Sequence, residues 1–272
     1  MSGPWARHPL RCAAATAAVL LLACACGSGG AGDAGPGGSG KPGGHGAGGA
    51  AGGTVTVLAA ASLNDPLTAL ARDYETDHPG VDIALSFGSS TTLAQQVAEG
   101  APADVVAFAG TQALRFLPQD AAAGGGRAVV ARNTMEIATP ADNPGRVAAL
   151  ADLARPDLDV VLCASTVPCG AAADEVLARA GVAPHVVSRE VDVKATLAKV
   201  RLGEADAAVV YHSDVVSAGD AVRGVAIPAG QNTTLDYPLV WLNSREHTVG
   251  FARLVDSDEG VAALTASGFL AP

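Results

Sequence analysis

The chain has 272 residues, of which 49% are hydrophobic, so it is long and apolar enough for one large domain or two lobes. Charged residues make up only 16% of the sequence and the net charge is −10, which excludes the basic surface of a nucleic-acid-binding protein. Because an acidic chain does not attract anions through its overall charge, any anion site must be formed by local groups.

The N-terminus has the features of an export signal. Two arginines are followed by an apolar run over residues 12–22, which is shorter than the roughly 20 residues that span a bilayer but suits a secretory signal peptide. The sequence LLAC, ending at Cys24, resembles a bacterial lipobox, in which the cysteine becomes the acylated N-terminus. We therefore predict a lipoprotein signal peptide over residues 1–24. Cys26 is the alternative acylated cysteine, and cleavage near Ala25 is the alternative without a lipid.

Residues 25–53 are rich in glycine and predict a flexible tether. From residue 27 onwards the segment contains no apolar side chain larger than alanine or proline, so it cannot form a core. Such a chain reaches about 30 Å in root-mean-square terms. A tether directly behind an acylated cysteine is typical of an exported protein anchored to the outer face of the cell membrane, although a spacer without further role remains the alternative.

From residue 54 the sequence alternates between strand-like and helix-like segments. The first block predicts strands over residues 54–59, 81–87 and 104–108 and helices over residues 63–78 and 92–99. The second block predicts strands over residues 159–163, 186–191 and 207–211 and helices over residues 170–180 and 194–202. Strands that alternate with helices favour a parallel α/β sheet, and two such blocks suggest two lobes.

Two extended segments, residues 127–139 and 236–242, are placed to cross between the lobes in opposite directions. Two C-terminal helices, over residues 245–255 and 258–267, are then expected to pack on the first lobe. The predicted boundaries are residues 54–131 with 236–272 for lobe 1 and residues 132–235 for lobe 2.

The ends of the predicted strands carry a recurring pattern of possible anion donors. In open α/β sheets ligands bind at the carboxyl ends of strands. The turns that follow the strands are residues 60–62, 88–92, 166–170 and 192–193, each leading into a helix, and Tyr211 ends the last strand of the second block. Helix N-termini supply free N–H groups and a positive dipole end, and the hydroxyls add neutral donors. None of these turns contains lysine or arginine, so the pattern predicts an anion site of neutral donors. A serine before a helix, taken alone, is more often only a cap.

The sequence gives little support for an enzyme or a cofactor. It contains neither a G-x-S-x-G nucleophile elbow nor a phosphate-binding G-x-x-x-x-G-K-[ST] loop. The histidines are dispersed, and Cys163 and Cys169 lack the second ligand pair that a zinc site needs. A binding protein without catalytic activity is therefore the preferred interpretation, with an enzyme acting on a small ester as an open alternative.

A series of short motifs identifies a family resemblance that covers nearly the whole core. The motifs are AAASL at residues 59–63, FGSSTTLAQQ at 87–96, GAPADV at 100–105, VPCG at 167–170, EVDVK at 190–194, VVYHSD at 209–214 and YPL at 237–239. In this order they resemble the periplasmic molybdate-binding protein family, the solute receptors of molybdate ABC transporters.

The resemblance implies a type II two-lobed periplasmic-binding-protein fold, with the ligand in a cleft between lobes joined by two crossing segments. It implies a monomer that binds molybdate, and tungstate, and delivers it to a membrane permease with a cytoplasmic ATPase. The implied contacts to the oxyanion, whose metal is held through its oxygens, are the hydroxyl and backbone donors of Ser62 and Ser90, the backbone N–H groups of Cys169 and Val193, and the hydroxyl of Tyr211.

Two positions depart from the family pattern. Cys169 stands where many members have alanine, and His212 replaces a glycine after the tyrosine. Neither change removes an implied donor.

Two other receptor classes remain open. One is a receptor for another anion such as sulfate or phosphate, since sulfate sites also use neutral donors and the sequence does not show the size of the cleft. Iron receptors of similar fold place two or more tyrosines at the metal, whereas only Tyr211 lies in a ligand turn here.

We also predict a disulfide between Cys163 and Cys169. Export permits oxidation. If Cys12 is removed and Cys24 is acylated, only Cys26, in the tether, is left as another partner. Cys163 ends a predicted strand and Cys169 opens the next helix, so the turn between them could bring the two together. Two buried thiols that never meet are the alternative.

Overall fold

The structure, a computed structural model, describes residues 52–121 and 123–272. The predicted signal peptide, Cys24 and Cys26, and most of the predicted tether lie outside these residues. In the part of the chain that is described, no helix is both long and apolar enough to cross a membrane.

The predicted strands and helices of both blocks are present, and further elements are added. The strands are β1 (Thr54–Ala60), β2 (Asp82–Gly88), β3 (Val105–Ala107), β4 (Gly126–Pro140), β5 (Val160–Cys163), β6 (Val186–Glu190), β7 (Ala207–Tyr211), β8 (Val222–Ala226) and β9 (Thr234–Trp241). The helices are α1 (Asn64–Asp77), α2 (Ser90–Ala98), α3 (Pro168–Ala180), α4 (Val193–Arg201), α5 (His212–Ala218), α6 (Glu246–Val255) and α7 (Asp258–Ala266).

The strands form two halves with the same topology. In the first half the order is β2-β1-β3-β9-β4, and in the second it is β6-β5-β7-β4-β8. Each half has three parallel strands followed by an antiparallel one, β9 beside β3 and β4 beside β7. The α/β fold predicted from the sequence is therefore confirmed, and the halves repeat a topology that no sequence repeat reveals.

The long strand β4 connects the two halves. Residues 126–134 pair with β9, whereas residues 135–140 pair with β7 and β8. The two predicted crossing segments therefore correspond to β4 and β9, with the change of partner on β4 between Thr134 and Met135. The lobe boundaries at residues 131/132 and 235/236 stay a prediction.

Helices cover the sheet and bury its parallel strands. Every residue of β5 and β7 is buried, as expected for parallel strands with helices on both faces. The C-terminal helices α6 and α7 contact α1, which places them on the first half as the sequence predicts.

Two helices begin earlier than their sequence pattern suggests. Helix α2 begins at Ser90 rather than residue 92, and α3 begins at Pro168 rather than residue 170. Proline suits the first helical position because that position needs no N–H donor. Ser90 and Cys169 consequently lie in the first turns of their helices, where backbone N–H groups have no intrahelical acceptor.

Candidate anion-binding site

A small buried cavity lies where helix starts from the two halves of the sheet meet. Its lining includes all five predicted contact residues: Ser62, Ser90, Cys169, Val193 and Tyr211. Each of them is at most 4% exposed. The fold therefore brings together positions that are separated by up to about half of the chain.

The size of the cavity restricts what it can hold. Its volume is about 20 Å³, and by the same measure roughly 10–15 Å³ accommodates one water molecule. The cavity therefore fits one compact ion and is too small for an extended organic ligand.

Backbone N–H groups at the cavity are left without side-chain caps. No side chain caps the start of α2 or α3, nor the 3-10 turn Ala61–Leu63 that precedes α1. In α4 the carboxylate of Asp192 accepts a hydrogen bond from Ala195 N–H at 2.9 Å, and this leaves the earlier N–H of Val193 for another acceptor. An anion in the cavity would accept from these groups and would also interact favourably with the helix dipoles.

The hydroxyl groups at the cavity differ in their partners. Ser90 Oγ accepts a hydrogen bond from Ala109 N–H at 2.9 Å, and Ser62 Oγ lies 3.0 Å from the hydroxyl oxygen of Tyr237. The hydroxyls of Tyr211 and Ser89 are buried, and neither has a hydrogen-bond partner among the described residues. Because an unsatisfied buried hydroxyl costs about 1–3 kcal/mol, an acceptor ligand in the cavity would stabilise this arrangement.

Ser89 was not among the predicted contact residues, although it also lines the cavity. It occupies the N-cap position of α2, where a serine normally bonds to the helix, but its side chain caps nothing. Its place in the serine-rich motif at residues 87–96 was the available signal.

The cavity has no cationic lining within the described part of the chain. The nearest cation in sequence, Lys194, contacts Asp65 and Asp214 at 3.5 and 3.4 Å instead. Asp192 is the single charged residue of the lining, and its carboxylate already accepts the Ala195 N–H. A bound anion would therefore be held by neutral donors, as the sequence pattern predicts.

The two tyrosines at the site keep their protons. Burial raises the pKa of the Tyr211 hydroxyl well above its ordinary value, and burial also raises the pKa of Tyr237. Their rings meet edge to face with centroids 6.2 Å apart. Both phenols therefore remain hydrogen-bond donors and do not become phenolates at neutral pH.

A disulfide joins two of the elements that form the cavity. Cys163 at the end of β5 is bonded to Cys169 in the first turn of α3, which confirms the predicted pairing. The sulfur of Cys163 also lies 3.2 Å from the hydroxyl of Thr196 in α4. The covalent link therefore lies beside two helix starts of the cavity.

The histidine that departs from the family pattern does not line the cavity. His212 Nδ1 lies 2.5 Å from the carboxylate of Glu136 on β4. This contact occupies the His212 side chain at the start of α5.

Comparison with known proteins agrees with this geometry. The family model for bacterial extracellular solute-binding proteins matches residues 55–270. The molybdate-binding protein ModA of Mycobacterium tuberculosis is 34% identical over 222 residues, covering 80% of this chain and 85% of the relative. The molybdate-binding protein ModA of Haemophilus influenzae is 31% identical and covers 80% and 90%, respectively.

Solved structures share the fold at lower identity. The periplasmic molybdate-binding protein of Azotobacter vinelandii superposes with a TM-score of 0.71 at 22% identity, over 80% of this chain and 99% of that one. The sulfate-binding protein SubI of Mycobacterium tuberculosis gives a TM-score of 0.67 at 19% identity, over 79% and 86%. The chain therefore belongs to the bacterial extracellular solute-binding protein family and has the molybdate-binding proteins among its relatives.

Proposed function

We propose that this protein captures molybdate, and also tungstate, outside the cell membrane and delivers it to an ABC importer composed of a membrane permease and a cytoplasmic ATPase. The observation that carries the proposal is that the five motif positions line one buried cavity, in which none of the described lining residues is a cation. The relatives named as molybdate-binding proteins support the choice of ligand. The oxyanion is a transported solute, so the proposal includes no cofactor and no catalytic step, and the carrier acts as a monomer.

The proposed contacts use hydroxyl and backbone donors. Ser62 and Ser90 each offer a hydroxyl and a backbone N–H, Cys169 and Val193 offer backbone N–H groups, and Tyr211 offers its hydroxyl. Burying a dianion is costly unless its oxygens are fully hydrogen-bonded. Convergent donors from four helix starts and one strand end meet this requirement, and the metal atom is held only through its oxygens.

A receptor for another tetrahedral oxyanion is the second candidate, because neutral donors also suit sulfate and phosphate. Phosphate carries a proton at neutral pH and needs an acceptor for it. The carboxylate of Asp192 lines the cavity and is available as this acceptor, because Ala195 N–H occupies only one of its oxygens. The choice between phosphate and molybdate therefore rests on titration. An iron receptor is disfavoured, since Tyr211 is the only tyrosine in the described lining of the cavity and iron receptors of similar fold use two or more.

Calorimetric titration of the purified protein with molybdate, tungstate, sulfate and phosphate tests the proposal. We expect molybdate and tungstate to bind with one ion per chain and at least tenfold more tightly than the other two anions. Tighter binding of sulfate or phosphate would replace the molybdate assignment with the second candidate.

The proposal includes a lipid anchor at Cys24, which rests on the lipobox and the tether behind it. We expect Cys24→Ser to release the protein from membranes or to leave it unprocessed, because acylation requires the thiol. The matched variant Cys26→Ser should remain membrane-bound. An unmodified N-terminus in the intact mass of native protein would rule out the anchor.

A further inference from the structure

A buried chain of hydrogen bonds lies behind Ser62. The hydroxyl of Tyr237 on β9 is 3.0 Å from Ser62 Oγ, and the side-chain nitrogen of Asn133 on β4 is 3.4 Å from the same Tyr237 oxygen. Tyr237 and Asn133 are both fully buried, and neither lines the cavity. The chain therefore joins a residue of the anion site to both strands that connect the two halves.

The direction of these hydrogen bonds follows from the chemistry of the groups. The side-chain oxygen of Asn133 accepts the N–H of Thr134 at 3.0 Å, which fixes the amide so that its nitrogen faces Tyr237 and Ser213. An amide nitrogen can only donate. The Tyr237 oxygen therefore accepts from Asn133. Ser62 Oγ is the only other hydrogen-bond partner of this hydroxyl among the described residues, so we assign the single Tyr237 hydrogen to Ser62 Oγ.

The Ser62 hydroxyl then has one role left. Its oxygen accepts from Tyr237, so its own hydrogen is free to be donated into the cavity. The hydroxyl hydrogen of Ser90 is also free to be donated into the cavity. Its oxygen accepts a hydrogen bond from the backbone N–H of Ala109, which can only donate. At Ser62 the donor behind the serine is a side chain, and substitution can remove it.

We infer that Asn133 and Tyr237 are positioning residues that commit the Ser62 hydroxyl to donating to the bound oxyanion, an inference that rests on the proposed function. This arrangement favours ions without protons, such as molybdate. Hydrogen phosphate carries one O–H that needs an acceptor, and a serine committed as a donor cannot accept from it. Phosphate must then turn an unprotonated oxygen to Ser62 and find another acceptor for its O–H. We call the hydrogen bonds from Asn133 through Tyr237 to Ser62 the relay. Without the relay, the Ser62 hydroxyl can turn and accept a hydrogen bond from the O–H of such an ion.

The variant Tyr237→Phe removes the relay and keeps the ring that packs edge to face on Phe269 at 5.1 Å. We expect its affinity for molybdate to fall by roughly tenfold. Phosphate affinity should change less, so that the ratio of the two affinities narrows. The matched control is Tyr74→Phe, because Tyr74 is also buried but bonds to His247 and does not line the cavity. This control should bind like the wild type.

A double-mutant cycle separates the relay from a general structural effect. In the Ser62→Ala background, Tyr237→Phe should cost no further affinity, because its target is already gone. Additive losses would overturn the inference, and so would equal losses for molybdate and phosphate. A second variant, Asn133→Leu, removes the amide donor that directs the Tyr237 hydrogen to Ser62 and adds no charge near the anion. It should also weaken molybdate binding, and this loss should disappear in the Ser62→Ala background. A loss that is independent of Ser62 would again overturn the inference.

The design also distinguishes failure of the relay from failure of the proposed function. If the wild-type protein prefers sulfate, the molybdate assignment fails, and the cycle is measured with sulfate, where the same coupling between Tyr237 and Ser62 is expected. If the wild type binds none of these anions, both the function and the relay are wrong.

Discussion

At the level of single residues, the hydroxyls of Ser62 and Ser90 decide between two roles, a contact to the ligand and a cap of a helix. Neither side chain caps its helix, and both are buried against the cavity. We expect Ser62→Ala and Ser90→Ala each to weaken molybdate binding roughly tenfold or more, since a hydrogen bond to a charged group contributes about 1.5–3 kcal/mol. Calorimetric titration measures the loss, and melting temperatures near that of the wild type would show that both variants fold. The exposed serine of β2 provides a control as Ser86→Ala. Titration curves that match the wild type for both variants would contradict the assignment.

Asp214, in the first turn of α5, is a fully buried carboxyl group directly behind the site. Burial raises its pKa to about 6, and Lys194 from α4 opposes the shift while Asp65 from α1 adds to it. A carboxyl group whose pKa is higher in the folded than in the unfolded state stabilises the fold at low pH. The protein loses this stabilisation as the pH increases from the unfolded pKa to the folded one. The stability of the wild type relative to Asp214→Asn should therefore fall between about pH 4 and pH 6 and stay level at higher pH.

Melting temperatures from pH 2 to 8 test this prediction, and Asp152 supplies a control of opposite sign whose change lies below about pH 4. The carboxylate of Asp152 accepts the N–H groups of Ala148 and Ala149, which lower its pKa. The wild type should therefore gain stability relative to Asp152→Asn as the pH rises through the acid range. A constant difference between wild type and Asp214→Asn across the pH range would show that Asp214 does not titrate as described.

At the level of elements, we expect the disulfide between β5 and α3 to fix the N–H of Cys169 before a ligand arrives. The loop is short, so the chain-entropy model gives it only about 2 kcal/mol of stabilisation. We expect its reduction to weaken molybdate binding because the first turn of α3 must then be ordered on binding. Titration of oxidised and reduced protein measures this, and Cys163→Ala/Cys169→Ala should reproduce the reduced form because it keeps the backbone N–H. A lower melting temperature with unchanged affinity would mean that the bridge is structural only.

The elements that the sequence predicted correctly are those with a strong local pattern. The valine-rich strands β5 and β7 and the amphipathic helix α1 belong to this group. The sequence analysis missed β8, whose residues are mostly exposed or half-buried, and α5, which spans only seven residues. Neither has enough length or apolar periodicity to stand out.

The sequence predicted which residues lie at the candidate site better than it predicted the hydrogen bonds between them. A rule about strand ends predicted the turns that meet at the cavity because it depends on topology, and the family resemblance selected five residues in them. The bond between Ser62 and Tyr237 joins residues 175 positions apart and leaves no local pattern. Ser89 lies in one of the predicted turns, but the resemblance implied only Ser90 there.

At the scale of the whole molecule, access to the cavity requires motion. The five contact residues are almost inaccessible, and they come from both halves of the sheet. Asp65 on α1 contacts Lys194 on α4 and the hydroxyl of Ser217 on α5, so polar contacts also link the two predicted lobes. We expect an ion to enter when the two predicted lobes separate, with β4 and β9 as the connections about which they turn.

We therefore predict that molybdate closes the two lobes on each other. An ion that contacts donors on both lobes stabilises the closed form by its differential affinity for the two states. Small-angle scattering should give a smaller radius of gyration with saturating molybdate than without it.

The variant Asp65→Asn weakens the contacts to Lys194 and Ser217, so it should shift the free protein towards the open form and speed dissociation of the ion. Asp73→Asn, on the exposed face of the same helix, should do neither. Scattering profiles that are identical with and without ligand, in both the wild type and Asp65→Asn, would contradict closure, because a free protein that is already closed should still open in the variant.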